Sequence, residues 1–105
     1  MADWQFTETR KSLYGQSYIV TIKNDPNNIS QVLLENFGNP GTQVVKAVGN
    51  VTANQIVISS QNMSNGWTVI GVGQMSNAAQ TSMTWTYSIT AGGSEDNYVA
   101  TAKKQ

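Results

Sequence analysis

Apolar and polar side chains alternate along most of the chain, and the longest such stretch is Thr81–Thr90, TSMTWTYSIT. Trp85, Tyr87 and Ile89 alternate there with Ser and Thr, and this period of two places the two classes on opposite faces of a β-strand. Ten residues without Gly, Pro or charge predict a strand of roughly 33 Å at about 3.3 Å per residue. We expect this long strand to be paired on both sides.

Similar alternation, interrupted by turn-forming residues, predicts seven further strands. The clearest terminator is the segment 24–28, NDPNN, because Pro26 biases Asp25 away from helical backbone and Asn tolerates left-handed conformations. Gly38-Asn39-Pro40-Gly41 and Gly49-Asn50 separate later strands. The eight predicted strands are Trp4–Arg10, Gln16–Lys23, Ser30–Phe37, Thr42–Val48, Gln55–Ser59, Trp67–Met75, Thr81–Thr90 and Glu95–Lys103.

The connections between these strands are too short for a crossover helix, so consecutive strands are expected to pair antiparallel as a meander. No segment has an apolar period of 3.6, and we predict no helix of consequence. The fold class is therefore all-β, with about eight antiparallel strands in one domain across residues 1–105. A closed or nearly closed barrel removes exposed strand edges, and a two-sheet β-sandwich is the alternative.

The apolar strand faces also predict what fills the interior. Gly71 and Gly73 lie within a strand, where glycine permits the close approach of an aromatic ring such as Trp85 or Tyr87. The predicted core residues are Tyr18, Val20, Ile22, Val32, Leu34, Ile56, Ile58, Val69, Trp85, Tyr87 and Ile89.

Composition excludes several functional classes. The chain has no His and no Cys, which removes the usual general base, the thiolate nucleophile and most transition-metal ligands. No pair of carboxylates is spaced to share a site, so we expect no enzyme, no cofactor and no metal. Six acidic and six basic residues cancel and form no run, which disfavours a nucleic-acid partner.

Charged residues make up only 11% of the chain, while Asn, Gln, Ser and Thr number 41. This balance is typical of secreted β proteins. No apolar run approaches the roughly 20 residues of a spanning helix, so we expect no membrane span. The sequence begins in strand-like residues, and we expect it to start at a mature domain from which an export signal has been removed.

The order of several short patches resembles the small calycin-like, or lipocalin-like, domains of secreted proteins and lipoproteins from Bacteroidetes-type bacteria. The resemblance implies an exported barrel, secreted or in the cell envelope, with no assigned catalytic residues, and it places Trp4 as a plug at one barrel end. It rests on residues 18–26 (YIVTIKNDP), 32–37 (VLLENF), 56–61 (IVISSQ), 71–73 (GVG), 85–89 (WTYSI) and 100–103 (ATAK).

Two non-enzymatic functions follow, and we expect a monomer in both. In the first, Trp67, Trp85 and Tyr87 bind a small apolar ligand in the barrel mouth. In the second, these aromatic residues fill the core, and the outer surface of an envelope or surface module contacts protein or glycan. An open interior of about 300 Å³ or more favours the ligand, and a filled one favours the surface module.

Overall fold

The computed structural model describes residues 2–10, 17–38, 40–41, 45–76, 79 and 81–105, with backbone alone for residues 9 and 10. These residues form eight β-strands and, within the described ranges, no helix. The strands are β1 (Ala2–Arg10), β2 (Ser17–Asp25), β3 (Asn28–Glu35), β4 (Lys46–Thr52), β5 (Gln55–Asn62), β6 (Thr68–Met75), β7 (Ser82–Ala91) and β8 (Ser94–Lys104).

Each strand pairs antiparallel with the next, and β8 pairs with β1, so the sheet closes into a barrel in meander order. The predicted meander and its closure are confirmed, and the sandwich alternative is wrong because β1 and β8 share a ladder from Trp4–Lys104 to Arg10–Val99. Closure gives every described strand two neighbouring strands. The architecture is consistent with a calycin-like fold.

The fourth strand lies further along the chain than the sequence predicts. Gly49 and Asn50 were expected to end it, yet both lie inside β4, and Gly49 faces the interior. A Cβ at Gly49 would lie 2.6 Å from Cγ2 of Ile56, so this glycine serves packing rather than a turn. The turn comes at Ala53, whose φ is 51°. Residues 42–44 of the predicted strand lie outside the described residues.

Other strand ends also differ from the prediction. The expected five-residue terminator at 24–28 narrows to Pro26 and Asn27, because β2 runs to Asp25 and β3 begins at Asn28. Phe37 was placed in the third strand but lies in the turn that follows it. Trp67 was placed in the sixth strand but precedes β6. Gln16 lies outside the described residues.

All eleven predicted core residues are buried in a single hydrophobic cluster. Their burial alternates along the strands, so the inward residues of all eight strands meet in the barrel interior. Trp4 is buried near the barrel end that holds both described chain termini, where it pairs with Lys104. The core residues not predicted are Trp4, Phe6, Phe37, Val45, Ala47, Met63, Met83, Ala100 and Ala102.

The two glycines of β6 accommodate the large rings of β7. Gly73 lies opposite Trp85, and Gly71 lies opposite Tyr87. A Cβ at Gly73 would overlap the indole of Trp85, and one at Gly71 would lie 2.7 Å from Cβ of Tyr87. The expectation that aromatic rings cover these glycines is confirmed. The interior can hold an indole at this level because β6 contributes no side chain there.

Replacing Gly73 with Ala is expected to destabilise the barrel by about 1–3 kcal/mol, because the added methyl group collides with Trp85. In a Trp85→Phe background the same substitution should cost less, since the smaller ring leaves room for it. Urea unfolding of the four proteins in this double-mutant cycle measures the difference. An equal loss in both backgrounds would contradict the packing described here.

Candidate functional site

The upper end of the barrel is defined by the β1–β2, β3–β4, β5–β6 and β7–β8 connections, and a buried carboxyl group lies just inside it. Glu8 is only 2% exposed, because it follows Trp4 and Phe6 on the inward face of β1. The Tyr87 hydroxyl donates to Glu8 Oε2 at 2.5 Å. A buried carboxyl group needs such donors, because its water of hydration has been lost.

Tyr18 extends this cluster to a second strand and to the β3–β4 connection. Its hydroxyl oxygen lies 2.8 Å from that of Tyr87. A hydroxyl has one proton, and Tyr87 uses its proton on Glu8, so Tyr18 donates to Tyr87. The backbone of Gly38 lies beside the Tyr18 hydroxyl and lowers the pKa of that group slightly. A directed chain of hydrogen bonds therefore runs from Tyr18 through Tyr87 to Glu8.

Burial is the main reason that the pKa values of both tyrosines lie well above the ordinary value. The neighbouring Glu8 carboxyl raises the pKa of each tyrosine further. Burial also raises the pKa of Tyr98, whose ring stacks on Tyr87 at 5.3 Å between centroids, and Asp96 and Glu8 add to that shift. At neutral pH these phenols are protonated, so Tyr87 remains a donor to Glu8.

A connected group of aromatic rings fills the centre of the barrel. Phe37 packs 4.9 Å from Tyr87 and 5.4 Å from Trp85, and Phe6 packs 5.6 Å from Trp85, all between ring centroids. Phe6, Phe37 and Trp85 are each 0% exposed. A gap large enough for water would expose the rings that border it. The interior around these rings is therefore filled by the protein's own side chains.

The three candidate ligand-binding residues occupy two different places. Trp85 and Tyr87 lie in the filled core, where Phe37 contacts both. Trp67 is half-buried at the upper end, where a Cβ built on Gly38 would lie 3.6 Å from its ring. A ligand would reach Trp85 from the upper end only after Phe37 moved aside.

The structural positions of two residues in this region, Phe37 and Glu8, are not predicted by the sequence pattern. The sequence predicts Phe37 within a strand, but it lies in a turn between Asn36 and Gly38. The φ angles of these two neighbours are 67° and 79°. Glu8 alternates in step with Trp4 and Phe6 within the predicted strand Trp4–Arg10, but it is not among the predicted core residues. That alternation was the available signal for its burial, and the Asn-Phe-Gly sequence was the signal for the turn.

One polar atom in the core lacks a partner. Among the described buried side chains, Nε1 of Trp85 has no hydrogen-bond acceptor. Leaving such a donor unpaired costs about 1–3 kcal/mol. The cost is tolerated here because the indole fills the space above Gly73.

Charged residues are unevenly distributed over the outer surface of the barrel. Residues 47–94, which include most of β4 and all of β5–β7, contain no Asp, Glu, Lys or Arg. On this uncharged face, Ile70 and Val72 are 49% and 39% exposed. We define the aliphatic patch by adding the half-buried outward residues beside them, so that its members are Leu33, Val48, Val57, Ile70 and Val72.

The strand register places the members of the aliphatic patch in two neighbouring halves. Leu33 lies opposite Val48, and Val57 lies opposite Val72. The exposed Asn50, two residues beyond Val48, pairs with Val57 and lies between the two halves. Depletion of charge around exposed apolar side chains is characteristic of the central part of protein interfaces.

Within the described ranges, no group of three or more acidic side chains is placed to hold a metal ion. No helix in the described part of the chain is long and apolar enough to cross a membrane. Comparisons with protein-family models, with curated proteins and with solved structures found no match.

The tyrosine cluster predicts a loss of stability at alkaline pH. Unfolded tyrosines ionise near pH 10, whereas the raised pKa values keep Tyr18 and Tyr87 protonated in the folded barrel. The unfolded state therefore binds fewer protons, and the free energy of unfolding falls as pH rises above about 10, by up to about 1.4 kcal/mol per pH unit for each tyrosine.

The Tyr87→Phe variant should lose stability less steeply than the wild type above pH 10, because one of these tyrosines has been removed. Urea unfolding at half-unit intervals from about pH 8 to pH 12 measures both slopes, and between about pH 8 and pH 9 the two curves should run parallel. Equal slopes above pH 10 would show that Tyr87 does not resist ionisation in the folded state.

Proposed function

We propose that this protein is a non-catalytic binding module that contacts a protein partner through its uncharged outer face. The observation that carries the proposal is the filled interior, in which Phe6, Phe37 and Trp85 are fully buried. A barrel whose interior is occupied by its own side chains has its outer surface available for recognition. The aliphatic patch is the apolar part of that surface.

The chemistry of the uncharged face favours protein over glycan. Sugar rings stack well on exposed aromatic faces, but the aromatic side chains within strands β4–β7, Trp85 and Tyr87, both point inward. The aliphatic patch instead offers branched side chains that pack against other apolar side chains. A partner's charged group would gain no counter-ion from residues 47–94. The expected partner surface is therefore apolar and uncharged.

A function without catalysis agrees with the residues at hand. The sequence provides neither His nor Cys. The carboxyl group of Glu8 is 2% exposed and already accepts a hydrogen bond from Tyr87, so it serves the packing of the upper end rather than a substrate.

We further propose that the module acts as a monomer, secreted or in the cell envelope of a Bacteroidetes-type bacterium. The support is the sequence resemblance to exported calycin-like domains, together with a chain that has 11% charged residues.

A small apolar ligand in the interior is the second candidate function. The unpaired Nε1 of Trp85 favours it, because a ligand with a hydrogen-bond acceptor would satisfy this donor. Phe37 would have to leave its place between Trp85 and Tyr87, and Trp67 borders the route past Gly38. Removing a buried Phe ring from its site costs about 3–5 kcal/mol, which weakens this candidate.

The test uses Val72→Lys, which places a charge in the aliphatic patch, and Thr101→Lys, which places one on the exposed outer face of β8. Each protein is immobilised and exposed to envelope proteins of a Bacteroidetes-type bacterium. A protein retained by the wild type is then purified and titrated by calorimetry. We expect Val72→Lys to weaken its binding at least about tenfold, roughly 1.4 kcal/mol, and Thr101→Lys to leave it nearly unchanged.

Equal weakening by both substitutions, with both variants folded, would contradict the assignment of the face. Titration with fatty acids, haem-like compounds and oligosaccharides examines the second candidate. Saturable quenching of tryptophan fluorescence by an apolar compound, lost in Trp85→Phe, would favour an interior ligand over the outer face.

A further inference from the structure

Near the upper end of β4 and β5, a side chain forms the hydrogen bonds that a paired backbone would otherwise form. We call this place the seam. The backbone pairs between these strands, within the described residues, run from Thr52–Gln55 to Asn50–Val57. Towards the upper end, Val48 is bound instead by the side-chain amide of Gln61. The Val48 N–H donates to Gln61 Oε1 at 2.8 Å, and Gln61 Nε2 donates to the Val48 carbonyl at 2.9 Å.

This pair of hydrogen bonds reproduces the pairing of an antiparallel strand. A side-chain amide presents a carbonyl and an N–H, as a peptide group does, and it satisfies both backbone groups of Val48 at once. The register of β5 against β6 shifts between Ile58 and Gln61, and the regular ladder with β4 does not continue past Val57. Gln61 therefore bridges a place where the two strands have separated.

The bridge differs from a true strand in one respect: it can be withdrawn by rotation of a side chain. Gln61 is half-buried, and its Nε2 also donates to the Ser59 carbonyl at 3.0 Å, within its own strand. Rotation of the Gln61 side chain would leave the Val48 N–H and carbonyl available without breaking any backbone pair of the barrel. An extended peptide supplies the same donor and acceptor.

The seam runs through the aliphatic patch. Val48 belongs to the patch, Leu33 lies beside it on β3, and Val57 and Val72 lie across the seam. An extended chain directs alternate side chains to the same face, so apolar residues at every second position would lie along the patch. Residues 47–94 around Val57 and Val72 carry no charge, and the two lysines beside Leu33 and Val48, Lys23 and Lys46, are both paired with Glu35. An uncharged segment therefore suits most of the patch.

We propose that an extended, uncharged segment of a partner protein adds as a strand beside β4 at the upper end of this seam, displacing the Gln61 amide from Val48. The inference rests on the proposed function and specifies the partner of the same face. Main-chain hydrogen bonds to Val48 provide the attachment, and alternate apolar side chains on the aliphatic patch provide the selectivity. Because the Gln61 amide competes for the same backbone groups, its removal strengthens binding.

The capped heptapeptide acetyl-TVTVTVT-amide serves as the probe, and acetyl-TVTPTVT-amide serves as its control because proline lacks the N–H that strand pairing needs. Binding is followed by ¹⁵N NMR at the Val48 backbone amide and the Gln61 side-chain amide. In the wild type, the first peptide should shift both signals saturably, and the proline peptide should shift neither.

Gln61→Leu removes the competing amide, and Gln61→Asn shortens the side chain so that it no longer reaches Val48. Each variant should bind acetyl-TVTVTVT-amide at least about tenfold more tightly than the wild type. The matched control is Gln5→Leu, which removes an exposed glutamine from the outer face of β1, away from the aliphatic patch, and should leave the affinity unchanged. Thermal unfolding establishes that each variant is folded.

Unchanged or weaker binding by both Gln61 variants, or a Val48 signal that does not respond to the peptide, would overturn the strand-addition proposal. The proposed function would be contradicted by a different result: Val72→Lys leaving the binding of the purified partner unchanged. A partner that is lost on Val72→Lys and unaffected by either Gln61 substitution would retain the face and reject the added strand.

Discussion

The packing of the Trp85 indole across the barrel is the constraint on which the rest of the structure depends. An eight-stranded barrel has an interior that side chains just fill, so each large ring must be matched by a small residue nearby. Gly73 provides this room, and Phe6 and Phe37 cover the indole. These rings fill the interior around the indole, and this packing supports the proposal that recognition takes place on the outer surface.

The hydrogen-bonded cluster at the upper end holds the turn that carries Phe37. The backbone of Gly38, the next residue, lies beside the Tyr18 hydroxyl, which is hydrogen-bonded to Tyr87 and through it to Glu8. Tyr87 also contacts the Phe37 ring directly. The polar cluster and the aromatic core therefore support each other: burial makes each hydrogen bond important, and the hydrogen bonds fix the residue that completes the core.

The sequence predicted the fold well because the alternation of apolar and polar residues is a direct consequence of strand geometry. Trp85, Tyr87 and Ile89 face inward as their period of two requires. The predicted end of the fourth strand at Gly49 is wrong, because this glycine makes room for Ile56 within the strand. In sequence, such a glycine cannot be distinguished from one that ends a strand. Periodicity reports which face a residue takes, but not why a glycine is present.

The features that support the proposed function were harder to predict because they depend on contacts between distant parts of the chain. Phe37 enters the core from a turn, which no strand pattern describes. Gln61 bridges to Val48 only because β5 shifts register against β6. The absence of charge from residues 47–94 is visible in the sequence, but only the closed barrel places the aliphatic patch and the seam together on that face.

The central claim is that the protein's own side chains fill the interior, so that binding takes place outside. Crystals of the wild-type protein exposed to xenon under pressure test it most directly, because xenon enters apolar cavities that remain free of water. The account predicts no xenon among Phe6, Phe37 and Trp85. An ordered xenon atom beside Trp85 would reveal an interior apolar space and contradict the claim.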